Sequence, residues 1–482
     1  MSEPKKQGMQ SRTRRTFLAG AVVGAAGTWA LTSLPRRLFQ DKDRPPWISE
    51  FFLDNFWFDA AGLYGQPPHP PLQAAIKADI AIVGGGFTGL SSAYHLKKKF
   101  PEQRIVLLES AYCGYGASGR NGGMAIPIHP VAFSIAREQG PEAARKFLAL
   151  NSQGLDLIKD LAASHGVHCD LEETGILILG MEEKHLENLA EWNQTAQQIG
   201  IQSKLLGRSE IEKELQTQRY AGGLNLQPGG ILNPAKLARG LKTVVEGMGV
   251  EVFERTRVVS IAPGSRVRIQ TEEGAVESPV LVLATNGYSA KLGFFKNRFI
   301  PLCNYVIATE PLTPGQLESI GWSGRQMLWD TRVEFDYFRL TADNRIVFGG
   351  ELAPYFYGGE ISSGNYPPSL RMLEQSLFTT FPQLSGTKIT HRWGGTMAFT
   401  LDMLPSIGVT GPNRNIYYGL GYSGEGVVLT QLAGKIIGQL YAKEDTDLTR
   451  LLFVNRGLPL IPPEPARSAS ISLYKKILNW TQ

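Results

Sequence analysis

Cysteine is scarce in this chain, and the body carries no excess charge of either sign. These two shortages exclude more than any abundance does. Only Cys113, Cys169 and Cys303 occur in 482 residues. An odd, widely spaced set builds no disulfide framework, and without a C-x-x-C pair it makes no zinc or iron–sulfur site. The run His165-Gly166-Val167-His168-Cys169 crowds its ligand types into one loop without further partners, so it reads as histidines at a turn, and no metal is expected. The formal charge of +5 misleads, because residues 1–40 hold Lys5, Lys6, Arg12, Arg14, Arg15, Arg36 and Arg37 against Glu3 alone. Beyond residue 40 stand 42 basic and 43 acidic side chains, a balance that gives no sign of a nucleic-acid surface, and no nucleic-acid partner is expected. Tandem repeats are lacking, and so is any convincing Ser–His–Asp or paired-carboxylate constellation. What remains is a globular composition, 43% hydrophobic and 19% charged, of a length that suits one large or two ordinary domains.

Long apolar runs are equally rare. The clearest uncharged stretch, Thr16–Pro35, follows Arg14-Arg15 and begins Thr16-Phe17-Leu18. It resembles a twin-arginine export signal, which implies passage of a folded protein through that machinery to the periplasm or to the outer face of the inner membrane. Its glycines, serine and threonines make it a weak membrane anchor, and the positive charge before it leaves the N-terminus in the cytoplasm. Residues 41–75 follow, rich in proline and aromatics. We expect an irregular arm packed on the body, since seven aromatics between Trp47 and Tyr64 solvate poorly.

The most informative stretch is Ala78–Ser110. Asp79–Val83 is an apolar run fit for a buried parallel strand. Gly84, Gly86 and Gly89 stand in G-x-G-x-x-G spacing around Phe87 and Thr88 and lead into a helical stretch, Leu90–Lys99. A second strand, Arg104–Leu108, ends in Glu109, twenty residues past Gly89. Gly84 permits the tight turn, Gly86 lets a pyrophosphate approach the helix N-terminus, and Gly89 lets helix and strand pack closely. Glu109 accepts hydrogen bonds from ribose hydroxyls and repels a 2′-phosphate. Strand, turn, helix, strand and acid together predict a bound dinucleotide.

Two further glycine-rich segments favour FAD over NAD, which needs only the first element. Gly114–Gly123 contains Ser118, Gly119, Arg120, Asn121, Gly122 and Gly123, small residues and donors that let backbone amides reach a flat ring. Gly421, Ser423, Gly424, Glu425 and Gly426 open a late helix whose amide dipoles favour negative charge on a reduced flavin.

Elsewhere, residues 133–165 and 181–219 carry helical patterns, and Gly175–Leu179 reads as a strand between them. Asn233 caps a helix Pro234–Gly247. Strands are expected at Glu251–Ile261, Val267–Thr271, Val280–Ala284, Tyr305–Thr309, Glu334–Leu340, Arg345–Phe348 and Ile416–Tyr418, and a helix at Ser369–Phe378. The expected fold is α/β: a discontinuous Rossmann-like domain from residues 76–130, 222–298 and 390–445, a second α+β domain with a mixed sheet from 131–221 and 299–389, and a C-terminal tail, 446–482.

With these pieces in order, the chain from about Asp79 to Leu440 resembles the D-amino-acid-oxidase-like family of FAD-dependent amine oxidoreductases. The matching pieces are Val83–Gly89 with Glu109, Ser118–Gly123, Gly230–Pro234, Val252–Val259, Ala284–Gly287, Arg392–Gly395, Pro405–Gly408 and Gly421–Gly426. Within the family it looks most like the γ-glutamylputrescine oxidase branch, through a similar S-G-R-x-G-G loop. The resemblance implies non-covalent FAD touched by Val258, Asn286 and Gly287, and a substrate domain with a mixed sheet over the flavin. It implies oxidation of an amine or amino acid by hydride transfer to flavin N5, imine hydrolysis, and reoxidation by oxygen or a membrane electron carrier. Substrate-facing candidates are Tyr337 and Arg339, two apart on one strand face and suited to a substrate carboxylate, with His391 and Trp393. Tyr305, Trp322 and Trp329 are further aromatic candidates. Cys303 reads as a buried strand cysteine rather than a flavin link. One departure stands out: Glu425 occupies a position where the branch pattern G-Y-S-G-H-G has histidine, and a carboxylate there disfavours an anionic reduced flavin unless it points to solvent. The alternatives are a flavin-dependent monooxygenase, which needs NADPH and a G-D-A motif before its last helix, and a flavin-bearing scaffold or assembly factor without turnover.

Overall fold

A computed structural model describes residues 55–63, 69–350, 353–361 and 366–481. The stretch that resembles an export signal and most of the arm that follows lie outside the described residues. Contacts divide the chain into two units. One is Glu50–Ile461; the described part of the other is residues 462–481, which contain the helix Ala466–Thr481. No described helix is long and apolar enough to cross a membrane.

Within Glu50–Ile461, a six-stranded sheet runs in the order Ser406–Thr410, Ile416–Leu420, Val280–Leu283, Ile80–Val83, Ile105–Leu108, Glu251–Phe253. The last five are parallel, and Ser406–Thr410 is antiparallel at the edge. Ile80–Val83 and Ile105–Leu108 are apolar at every position because both faces are covered. The helix Phe87–Lys99 makes the crossover between them. A four-stranded sheet, Ala75–Lys77, Ala275–Ser278, Val267–Thr271 and Val258–Ala262, packs its buried side into the same core as the six-stranded one.

The mixed sheet has eight strands in the order Ile389–Phe399, Ile300–Thr309, Ile346–Gly350, Asp336–Leu340, Met327–Asp330, Ile176–Gly180, Gly222–Gln227, Gln202–Gly207. It is mixed because Met327–Asp330 pairs parallel with Ile176–Gly180 while its other neighbour is antiparallel. Pro234–Gly247 forms as expected, with Asn233 Oδ1 accepting from the Ala235 and Lys236 amides at 3.1 and 3.0 Å.

Four expectations need correction. The helical run 133–165 is two helices, Val131–Gln139 and Pro141–His165, because Gly140 turns at φ +94°. The run 181–219 is broken by the strand Gln202–Gly207 between helices Glu183–Gln198 and Arg208–Leu215. The strand Glu251–Ile261 is two strands in different sheets, separated by a turn at Arg255 with φ 52°. Finally, the ranges 222–298 and 390–445 do not lie wholly in the nucleotide-type layer: Gly222–Gln227 and Ile389–Phe399 are strands of the eight-stranded sheet. Glycine hides both from a hydrophobic pattern. Gly394 sits where a Cβ would lie 2.8 Å from Tyr305, so the sheet requires the residue that erases its own sequence signature.

Candidate functional site

The turn after Ile80–Val83 has no room for side chains. Gly84 adopts φ +108°, and a Cβ there would lie 2.6 Å from the Ala284 carbonyl oxygen. A Cβ on Gly89 would stand 1.9 Å from the Gly84 oxygen, which fixes how closely the helix meets the strand. Glu109 is buried at the end of the neighbouring strand. Its carboxylate accepts from the Gly85 amide at 2.7 Å, the Ala111 amide at 3.0 Å and Ser110 Oγ at 3.1 Å. Burial raises its pKa above the ordinary carboxylate value, and the Ala111 and Gly85 amides oppose that rise.

Three glycine-rich segments far apart in sequence meet at this turn. Ser118 Oγ accepts from the Phe87 amide, at the first residue of the helix, at 2.9 Å. Thr88 Oγ1 lies 2.8 Å from Tyr422 Oη, which brings in the late segment. Asn286, left-handed at φ 41°, accepts from the Gly421 amide at 3.0 Å through Oδ1. The helix Gly426–Tyr441 then packs on Phe87–Lys99 so tightly that a Cβ on Gly434 would fall 2.2 Å from Ser91 Oγ.

The loop 117–123 contains one short 3₁₀ turn, Ala117–Gly119. The Asn121 side chain ties it internally, donating to the Ala117 and Ser118 carbonyls at 3.0 and 2.9 Å and accepting from the Gly123 amide at 2.8 Å. Four of its carbonyls take donors from outside. Asn55 Nδ2 reaches Gly119 O at 3.1 Å, Trp393 Nε1 reaches Arg120 O at 2.9 Å, Trp57 Nε1 reaches Asn121 O at 2.8 Å, and Arg339 Nη1 reaches Gly123 O at 2.9 Å.

Two of these partners were expected to face substrate. Arg339 also donates to Leu232 O at 2.7 Å and, through Nε, to Leu340 O at 3.1 Å. It is a buried strut whose pKa is pushed down to about 9 by burial, and its Nε and Nη1 are engaged with carbonyls, so the expected carboxylate-binding role does not fit. Trp393 is likewise a support of the loop. His391 meets the N-terminal helix Phe56–Ala60, edge-on to Phe56 and 3.6 Å from Asp59. Tyr337 does lie against the loop: a Cβ on Gly122 would be 2.7 Å from its ring, and its hydroxyl donates to Asn304 Oδ1 at 2.6 Å. Trp322 packs on Phe338 and Phe381 in a second core, formed between the eight-stranded sheet and the helix Pro367–Thr380. Cys303 is buried, with Sγ 3.2 Å from Thr396 Oγ1.

The sequence reading missed two features. Glu254, fully buried, closes the strand next to that of Glu109; it accepts from the Cys113 amide at 2.9 Å and lies within 3.4 Å of Arg239 and 3.7 Å of Lys242. An acid just past the strand-like stretch Val250-Glu251-Val252-Phe253 was the available signal. The other is the pair Asn55 and Trp57, which nothing in the sequence distinguished from their aromatic neighbours. Among the described residues, no group of three His, Cys, Asp or Glu side chains is disposed to hold a metal ion.

Residues 79–440 match the model of the DAO family, FAD dependent oxidoreductase. The chain belongs to this family. The γ-glutamylputrescine oxidoreductase of Escherichia coli is 33% identical over 389 residues, covering 79% of this chain and 87% of that one. The probable oxidoreductase OrdL of Haemophilus influenzae is 30% identical over 404 residues, covering 82% and 89%. Among solved structures, glycine oxidase from Geobacillus kaustophilus aligns with TM-score 0.67 at 20% identity, covering 79% of this chain and 99% of that one.

A DAO-family chain is FAD-dependent, and the residues here fit that group. Gly84, Gly85, Gly86 and Gly89 pack too closely on Ala284, Glu109, Ser118 and the turn itself to carry a Cβ, which keeps the backbone bare at the N-terminus of the helix Phe87–Lys99. Arg120 is buried with Nε and Nη2 lacking hydrogen-bond partners, its guanidinium 4.2 Å over the Tyr115 ring. An unpaired buried cation of this kind suits an electron-rich ligand edge. Gly84–Gly89, Glu109, Ser118–Gly123, Asn286 and Gly421–Gly426 are the residues that would hold FAD. Val258 begins the strand Val258–Ala262 and is half-buried, packed on the core that contains Val83 and Leu108. Glu425 stands at the N-cap of Gly426–Tyr441 without a capping bond; its Oε2 is buried and unpartnered, and burial raises its pKa to about 7. The carboxyl does not point to solvent through that oxygen, and near neutral pH a large part of it is protonated. Ser423 gives the helix no cap either, lying 3.3 Å from the Thr400 amide instead.

Proposed function

We propose that this enzyme oxidises the C–N bond of a small amine or amino acid, giving an imine that water splits into a carbonyl compound and ammonia or a smaller amine. When bound, FAD supplies the acceptor for the hydride on the carbon next to nitrogen. The balance is simple: the neutral amine loses that hydride and one proton, C–N becomes C=N, and addition of water releases the amine.

Such chemistry asks the protein to orient an uncharged amine and exclude water, rather than to supply an acid–base pair. One observation carries the reading: Tyr337, on the eight-stranded sheet, lies against Gly122 of the loop whose Ser118 meets the dinucleotide helix. The sheet and the nucleotide turn thus share a boundary, with the Tyr337 ring on it. The name of the Escherichia coli relative makes a γ-glutamylated diamine the first substrate to test. Incubation with such amines, once in air and once with a quinone analogue as acceptor, with ammonium and carbonyl product both assayed, tests the proposal; release of neither from any amine or amino acid with either acceptor contradicts it. Rapid reduction of the flavin by NADPH would instead favour a monooxygenase.

We propose further that the leader directs twin-arginine export, with oxygen or a membrane electron carrier as acceptor. Replacing both Arg14 and Arg15 by lysine should trap the protein in the cytoplasm.

A further inference from the structure

The helix Phe56–Ala60 precedes the family-matched residues 79–440. It is nonetheless built into the candidate site. Phe56, Trp57 and Phe58 are all buried. The helix is capped by Asn55, whose Oδ1 accepts from the Trp57 amide at 2.9 Å while its Nδ2 reaches Gly119 O at 3.1 Å. Phe58 lies directly on Gly119, where a Cβ would stand 2.6 Å from Cε1 of its ring. Trp57 does three things at once. Its Nε1 reaches Asn121 O at 2.8 Å, its ring meets Trp393 edge-on at 6.3 Å, and the Arg339 guanidinium sits 4.9 Å over it. Both of those neighbours themselves hold loop carbonyls, at Arg120 and Gly123.

We propose that Asn55–Ala60 is a clasp on the FAD-binding loop and that Trp57 is its positioning residue, acting on FAD through Asn121. In a planar trans peptide the N–H points opposite to the carbonyl of the same unit. Holding the Arg120 and Asn121 carbonyls on the clasp side therefore aims the Asn121 and Gly122 amides away from it. The bare loop cannot do this alone, since a glycine-rich segment with one 3₁₀ turn has many conformations to lose on ordering. The clasp removes that cost before FAD binds, so its loss should appear as weaker retention of FAD rather than as a failure to fold.

The proposal rests on residues 117–123 being an FAD loop. Its test is the rate at which FAD leaves the full-length holoprotein, followed by the rise of free-flavin fluorescence on dilution, with thermal unfolding of the apoprotein measured alongside. Trp57→Phe keeps a ring for Trp393 and Arg339 and removes only the N–H. Trp322→Phe is the control, because Trp322 is also buried and donates Nε1 to a carbonyl, Gln326 O at 3.2 Å, but belongs to the second core. Trp57→Phe should release FAD about 10-fold faster, and Trp57→Ala faster still, as expected when a buried carbonyl loses its donor. Trp322→Phe should lower apoprotein stability and leave release unchanged. Unchanged release in Trp57→Phe, or equal acceleration in both phenylalanine variants, overturns the clasp. A wild-type protein that holds no FAD overturns the loop assignment itself, and the clasp with it.

Discussion

Ser118 Oγ accepts a hydrogen bond from the backbone N–H of Phe87 at 2.9 Å, although the two lie in different glycine-rich segments. The contact joins the second segment to the N-terminus of the dinucleotide helix. Ser118→Ala should therefore weaken FAD binding by about 10-fold, roughly 1.4 kcal/mol, beyond the ~1 kcal/mol of apoprotein stability that loss of one hydrogen bond costs. Titration of apoprotein with FAD, read by flavin fluorescence quenching, checks this.

Gly89→Ala meets backbone rather than a movable side chain, since its Cβ would fall 1.9 Å from the Gly84 oxygen. Helix and strand must separate to admit it. The expected cost is about 3 kcal/mol or more, with loss of the yellow colour. A variant purified with full flavin content would show that the turn adapts.

Arg339 and Tyr337 should behave differently despite sharing a strand face. Arg339→Met removes the hydrogen bonds to the carbonyls of Gly123, Leu232 and Leu340, of which Gly123 keeps the Leu232 amide, and should cost about 3 kcal/mol in urea unfolding. Tyr337→Phe removes one hydrogen bond, to Asn304, and should cost about 1 kcal/mol. Similar losses in the two variants would contradict the strut assigned to Arg339.

Glu425 makes stability depend on pH. Its folded pKa of about 7 lies above the ordinary 4.5, so the folded state holds this proton more tightly than the unfolded chain does. The stability it contributes is complete below about pH 4.5, falls as pH rises toward 7, and is lost above that. Glu425→Gln removes the slope. Compared with wild type, the variant should gain as much as about 3 kcal/mol at pH 8 and little at pH 4. Urea unfolding of both proteins at those two pH values gives the comparison.

The dinucleotide turn was legible because each residue in it answers a steric demand: Gly84 and Gly89 have no room for a Cβ, and Glu109 ends a strand that is apolar throughout. The parallel strands and the helix Pro234–Gly247 were legible for similar local reasons. What escaped was set by distant contacts. Ile389–Phe399 carries Gly394 and Gly395, which the neighbouring Tyr305 and Arg120 require, and those glycines erase the strand alternation. Arg339 and Trp393 read as substrate-facing because sequence shows that a donor exists on a given face, but not that a loop carbonyl from residues 117–123 already accepts from it. Asn55 and Trp57 were hidden in an arm whose aromatic content indicated packing without indicating against what.

The central claim is that an amine reduces the flavin of this protein. It is tested most directly by mixing the purified yellow holoprotein with amines and amino acids, γ-glutamylated diamines included, under strict exclusion of oxygen. The account predicts that at least one of them bleaches the visible flavin absorbance, and that air or a quinone analogue restores it. Flavin that dithionite bleaches but no amine or amino acid does would contradict it.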